Sequence, residues 1–229
     1  MTSPARRAAR RHEDEIGRVL AIHHDRPGPR TVIGFAAAWV LMSALTFIAP
    51  GETALLAIVP TLAFLVILGG ILVMLSGERL IVCERGLLIG SVAPFLTPYV
   101  LRYDQIAPGT IVPISGGIRR YHRQTGLAPM PSSRIAWWSR RGISLVGPST
   151  GEARARRRRS AASRDAGFPW LVGTRAPAEQ AAAEIARAAG AAGFVDLARA
   201  TASAPPRVLS GEPRDAPQQL PGVAVVRRG

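Results

Sequence analysis

Arginine is the residue whose type and spacing carry chemistry in this chain. Between Arg119 and Arg159 there are eleven arginines and a single acid, Glu152. Arg119, Arg120 and Arg123 surround Tyr121 and His122 in a stretch rich in Gly, Pro and Ser. Arg140 and Arg141 stand before Gly142. Arg154 and the run Arg156, Arg157, Arg158, Arg159 lie between two strand-like segments. A guanidinium stays charged and offers a planar fork of donors that matches phosphate and carboxylate oxygens. The implied chemistry is anion binding, and the candidate partners are anionic lipid headgroups, an acidic protein surface, or a nucleic-acid backbone. Nucleic acid is the weakest of the three, because no reading helix or aromatic platform motif accompanies the charge. A plainer reading stands beside them: consecutive arginines among Ala, Ser and Gly also make a solvated loop.

Catalytic chemistry finds little support. There is no phosphate-binding glycine motif, no HExxH and no GxSxG. Asp104 and Glu84 are isolated carboxylates, and His122 has no carboxylate to orient it. His12, His23 and His24 read as surface residues. Cys83 is the single cysteine, so no intrachain disulfide forms, and no Cys/His cluster has metal-ligand spacing. A buried, inert thiol is its expected state. These absences lead to the expectation of a non-enzymatic protein without metal or cofactor.

Two oily stretches must position the arginines. An uncharged run from Thr31 to Gly51 is followed by Glu52 and a second run from Thr53 to Gly77. At about 1.5 Å per residue, each is long enough as a helix to cross roughly 30 Å of hydrocarbon. The second holds fourteen Leu, Ile, Val and Phe residues between Thr53 and Ser76. At about −0.3 to −0.6 kcal/mol each, they favour insertion by up to roughly 4 to 8 kcal/mol. The expectation is a two-helix transmembrane hairpin over 31–77, turning at Pro50-Gly51-Glu52. Seven arginines precede it and none lies in the turn. The positive-inside rule then places both termini in the cytoplasm of a bacterial inner membrane.

Before the hairpin, residues 1–30 form a basic juxtamembrane segment. Ile16, Val19, Leu20 and His23 follow Glu13-Asp14-Glu15 at helical spacing, which predicts a short amphipathic helix or a solvated leader. After it, residues 78–200 change to short strand-like pieces. Leu80–Cys83 and Leu87–Ile89 flank a turn at Glu84-Arg85-Gly86. Further strands are predicted over 97–106, 110–114, 135–139, 143–146 and 168–174, with 135–139 and 143–146 paired as a hairpin. Pro177 and Glu179 then open a helix whose Ala178, Ala181, Ala182, Ile185, Ala188 and Ala189 share one face, with a short extension over 194–200. Residues 201–229 read as a disordered tail.

The run from Leu80 to Ile89, the Tyr103-Asp104-Gln105-Ile106 segment, and Trp170-Leu171-Val172-Gly173-Thr174 running into Pro177-Ala178-Glu179 resemble bacterial pleckstrin-homology-like domains. The resemblance covers roughly residues 79–190 and implies a bent, partly open β-barrel of about seven strands with one C-terminal helix. It implies binding or scaffolding, and no lipid-site residue carries over from it. The basic stretches 116–133 and 148–167 depart from it as long insertions.

The fold class expected is thus a membrane α-helical hairpin plus an α+β cytoplasmic domain of this kind. The function expected is presentation of that domain, at the cytoplasmic face of the lipid bilayer, to a partner protein or anionic lipid headgroups. The alternative is an accessory subunit of a larger membrane complex, with a membrane protein partner.

Overall fold

The computed structural model describes residues 4–48, 54–76, 78–91, 97–124, 130–154, 167–210 and 219–223. Two short helices, α1 (Pro4–Arg10) and α2 (Glu13–Ile16), lead into strand β1 (Val19–His24). Gly17 makes the break between α2 and β1 at a φ of 75°, which an L side chain rarely adopts. The apolar helices α3 (Pro29–Ile48) and α4 (Ala54–Ser76) follow, and then β2 (Glu78–Cys83), β3 (Gly86–Ser91) and β4 (Tyr99–Arg102). A single 3-10 turn, Tyr103–Gln105, leads to β5 (Val112–Gly116), α5 (Ile118–Gln124), β6 (Ser133–Arg134), β7 (Arg141–Gly147) and α6 (Thr150–Arg154). The chain continues as β8 (Phe168–Thr174), α7 (Ala178–Ala191), α8 (Val195–Ala202) and β9 (Arg207–Val208).

The strands make two sheets, one ordered β1-β2-β3-β4 and one ordered β6-β8-β7-β5-β9. The first is antiparallel throughout. In the second, β6 and β9 run parallel to their neighbours. Alternation along β2 explains the layering. Leu80 and Val82 face a core shared with Leu145, Trp170, Val172 and Ile185, in which α7 inserts its alanine face. Ile81 and Cys83 face the other way, against Ile16, Leu88, Val100 and Ala5. The first sheet is therefore covered on both faces, and this is why Leu87, Leu88 and Ile89 are all buried. On the second sheet, Val112, Ile114 and Leu171 pack with Ile118, Tyr121, Leu209, Leu220 and Val223.

Several expectations require correction. The expected class, a two-helix membrane hairpin with a bent seven-stranded barrel, is overturned. The strands divide into two separate sheets and close no barrel. Among the described residues, one helix is long and apolar enough to cross a membrane, Pro29–Phe47; the apolar part found in α4 is the shorter Ile58–Val73. The N-terminal amphipathic helix shrinks to the single turn of α2. Val19, Leu20 and His23 instead lie on β1, whose backbone groups pair with β2. His12 and His23 are buried rather than on the surface. The predicted hairpin of 135–139 with 143–146 does not form, because β7 pairs with β5 and β8 while Trp137 and Trp138 occupy a turn. The segment read as a disordered tail places Arg207 and Val208 alongside β5 and buries Leu209, Leu220 and Val223. The turn at 50–52 lies outside the described residues.

Helices α3 and α4 pack side by side. Trp39 Nε1 donates to the Thr61 carbonyl at 3.3 Å, and Thr46 meets Thr61 at 3.3 Å. Their remaining faces are bare: Ile33, Leu41, Phe47, Val59 and Val66 are all more than half exposed. The pair leaves and re-enters one sheet, because β1 before α3 is hydrogen-bonded to β2 after α4, with His24 opposite Arg79.

Candidate anion-binding cleft

A cleft of about 970 Å³ opens where the apolar helices meet the sheets. Its floor is built by the link between β1 and α3. Asp25 follows β1 directly; two contacts pin it and a third pins His24 before it. The Trp138 indole N–H donates to the Asp25 carbonyl at 3.1 Å, the Ser139 hydroxyl donates to the Asp25 carboxylate, and the Arg175 backbone N–H donates to the His24 carbonyl at 2.9 Å. Gly173 is required beneath this contact, since a Cβ there would collide with the Asp25 carboxylate and the Ser139 hydroxyl.

Six arginines line the cleft: Arg26, Arg30, Arg119, Arg140, Arg141 and Arg175. They arrive from five places in the chain. Arg26 sits in the β1–α3 link, Arg30 in the first turn of α3, Arg119 on α5, Arg140 and Arg141 at the start of β7, and Arg175 just past the end of β8. The antiparallel register brings the last two places together, since Arg141 is opposite Thr174. Against these charges stands one carboxylate, Asp25, and among the described residues none of the six arginines forms an ion pair. The first turn of α3 carries no acid, so its positive dipole end adds to the potential rather than offsetting it. Arranged this way, the side chains favour an anion in the cleft.

Aromatic and apolar groups form the other wall. Trp137 is 56% exposed. Its ring meets Phe35 of α3 edge-on at 5.2 Å and lies 6.0 Å from Trp138. Gly34 and Ala38 of α3 and Leu68 of α4 continue this wall away from the arginines.

Two titratable groups at the floor are displaced from their ordinary ranges. Burial pushes the Asp25 carboxyl up from 3.8 to about 6, opposed by the Ser139 hydrogen bond. Burial, with help from Arg79, Arg26 and His23, brings His24 down from 6.5 to about 4. At neutral pH His24 is uncharged and Asp25 is mostly ionised.

No family model, curated protein or solved structure matches the chain.

The sequence-predicted arginines separate into three groups. Arg119, Arg140 and Arg141 line the cleft. Arg120 and Arg123 are on α5 but do not line it, and Arg154 stacks over the Tyr99 ring at 4.6 Å. Arg156, Arg157, Arg158 and Arg159 lie outside the described residues. Sequence reasoning gave Arg26 and Arg30 no role beyond orientation and gave Arg175 none. The signal for the first pair was their position beside Pro27 and Pro29, immediately before the first apolar run. Arg175 carried no signal until the strand register was known.

The former catalytic candidates sit apart. The Arg18 backbone N–H donates to Glu84 at 3.1 Å and the Arg18 guanidinium pairs with it at 2.9 Å, the backbone bond first among the contacts that hold its carboxyl below the usual range. Asp104 pairs with Arg102, and His122 lies on α5, its pKa lowered by burial. Cys83 is fully buried, and burial pushes its thiol up to about 12.

Proposed function

We propose that this is a membrane-associated binding protein that engages anionic phosphate headgroups through the arginine cleft, without catalysing a reaction. The observation that carries the reading is the joining of six arginines and two tryptophans to the base of an exposed apolar helix. An exposed apolar face of this extent marks a surface that another phase or molecule covers. Indole rings favour the headgroup region, and each arginine held near an anionic surface contributes about 1 kcal/mol. The reading needs only that the exposed apolar face of α3 meet lipid. Because β1 before it pairs with β2 after α4, both sheets stay on one side of the bilayer, the cytoplasmic side by the arginine bias.

The test uses tryptophan quenching in vesicles carrying brominated lipid. Trp39 of α3 would itself meet lipid and is replaced in a Trp39→Phe variant. Trp170 is fully buried and provides a constant background, whereas Trp137 and Trp138 report the cleft. The full chain is reconstituted with the bromine placed either on an anionic or on a zwitterionic lipid. Stronger quenching by the anionic carrier, lost progressively as salt rises, supports the reading. Quenching that ignores both headgroup charge and salt overturns it.

A further inference from the structure

The cleft is more than a basic face laid against a charged surface. Its arginines come from five separate places in the chain and converge on one concavity. Its volume of about 970 Å³ falls at the upper end of the range for pockets that enclose a whole small molecule, roughly 300–1,000 Å³. A single phosphate would fill little of it. The charge is also too large for a monoanion: six guanidinium groups face one carboxylate, so a head with one negative charge would leave most of them uncompensated. Guanidinium forks bind phosphate oxygens two at a time, and several forks around one concavity suit a head with more than one phosphate.

The apolar end of the cleft fixes the other half of the ligand. Gly34 and Ala38 from α3 and Leu68 from α4 carry the wall from the arginines up the helix pair. A Cβ built at Gly34 would meet nothing within 4 Å. An open surface of small and apolar residues therefore continues from the charged end along helices whose outer faces are bare. Polar at one end and apolar at the other, the cleft matches a molecule with the same division.

We infer that the cleft is a discrete site for one polyanionic phospholipid, its phosphates held by Arg26, Arg30, Arg119, Arg140, Arg141 and Arg175 and an acyl chain lying past Gly34 and Ala38. This rests on the membrane reading above and adds stoichiometry, headgroup charge and a chain path to it. Trp137, braced against Phe35, stands at the boundary between the two ends.

The experiment is native mass spectrometry of the delipidated full chain in mild detergent, titrated with cardiolipin as the dianionic probe and phosphatidylglycerol as the monoanionic one. The expected result is a single saturable cardiolipin adduct, bound about tenfold more tightly than phosphatidylglycerol. The double variant Arg140→Ser/Arg141→Ser loses about tenfold or more in cardiolipin affinity. Arg120→Ser, one residue from the cleft but not lining it, binds as the parent does. Gly34→Leu, which fills open space, weakens the cardiolipin adduct; its far-UV circular dichroism reports whether the fold is kept, and Arg119→Ser stands in if it is not. Equal affinity for the two lipids overturns the inference, as does an equal loss in Arg120→Ser. Displacement of cardiolipin by an equal concentration of inorganic pyrophosphate also overturns it, since the chain path would then contribute nothing. Charge-dependent quenching in vesicles without a saturable adduct sinks this inference and leaves the membrane reading standing. Charge-independent quenching removes the membrane reading itself.

Discussion

Replacing Asp25 with asparagine should change how stability depends on pH, in a direction the cleft floor dictates. The Asp25 side chain is 3% exposed, and burial holds its carboxyl near 6 against an ordinary 3.8. A carboxyl raised in the folded state binds its proton more tightly there than in the unfolded chain. Its contribution to stability is therefore fully present below about 4 and lost as pH climbs through 6. At about 1.36 kcal/mol per pH unit, the loss amounts to roughly 3 kcal/mol above pH 6. An asparagine keeps the side-chain shape and accepts the Ser139 hydroxyl on its amide oxygen. The Trp138 indole bonds the backbone carbonyl of residue 25 and is indifferent to the change. The Asp25→Asn variant should thus be no more stable than the parent at pH 4 and more stable by about 1 to 3 kcal/mol at pH 8, the lower figure allowing for a poorer amide fit. Urea unfolding of both proteins in the same detergent, followed by tryptophan emission at half-unit steps from pH 4 to 8, gives the difference directly. Other titrating groups cancel in that difference. A gap between the two proteins that stays constant with pH, or that closes as pH rises, would refute the argument that Asp25 is held in an unfavourable ionised state.

Three further outcomes follow from the packing. Trp170→Ala should cost about 3 to 5 kcal/mol: it empties a fully buried site, breaks a 2.9 Å bond from the indole to the Pro148 carbonyl and removes the edge contact with Tyr99 at 5.0 Å; a urea midpoint unchanged from the parent would contradict the core assignment. Glu184→Ala should cost about 1 to 3 kcal/mol, because it strips the 2.8 Å partner from the buried His23 and so unfastens β1 from α7; hydrogen exchange should rise along β1 before it rises along β7. Cys83, its thiol near 12 and its side chain fully buried, should resist a maleimide at pH 8 in the folded protein and react once the chain is unfolded in urea.

Local periodicity made some elements readable without a structure. The strand over Phe168–Thr174 and the alanine face of α7 stand where spacing places them, because a period of two or of 3.6 is written into neighbouring residues. The turn at Glu84-Arg85 was readable for the same reason, but Gly86, expected in the turn, opens β3 instead, where a Cβ would meet the Leu101 carbonyl of β4. Elements that depend on distant partners were not readable. Ile16, Val19, Leu20 and His23 match a helical stripe, yet β1 exists because β2, on the far side of both apolar helices, offers it an edge. The parallel additions of β6 to β8 and of β9 to β5 have no local signature either. The two covered faces of the first sheet also hid its alternation, turning Leu87-Leu88-Ile89 into a continuous apolar run.

The same distant pairings decide the cleft. Arg119, Arg140 and Arg141 could be suspected from charge density alone, but density gave Arg120, Arg123 and Arg154 equal standing. What separates them is the place where β1 ends. Because β1 joins the sheet, His24 reaches the end of β8 and its carbonyl takes the Arg175 N–H. Asp25 is thereby delivered to Trp138 and Ser139, and α3 starts beside the first residues of β7. Had the N-terminal segment been a free leader, Arg26 and Arg30 would have had no fixed relation to Arg140, Arg141 and Arg175. A basic surface would remain, but there would be no concavity in which the charges converge. The strand pairing that displaced the predicted N-terminal helix is thus the contact that builds the candidate site. A substitution that weakens β1 should disperse the arginines before it unfolds the core.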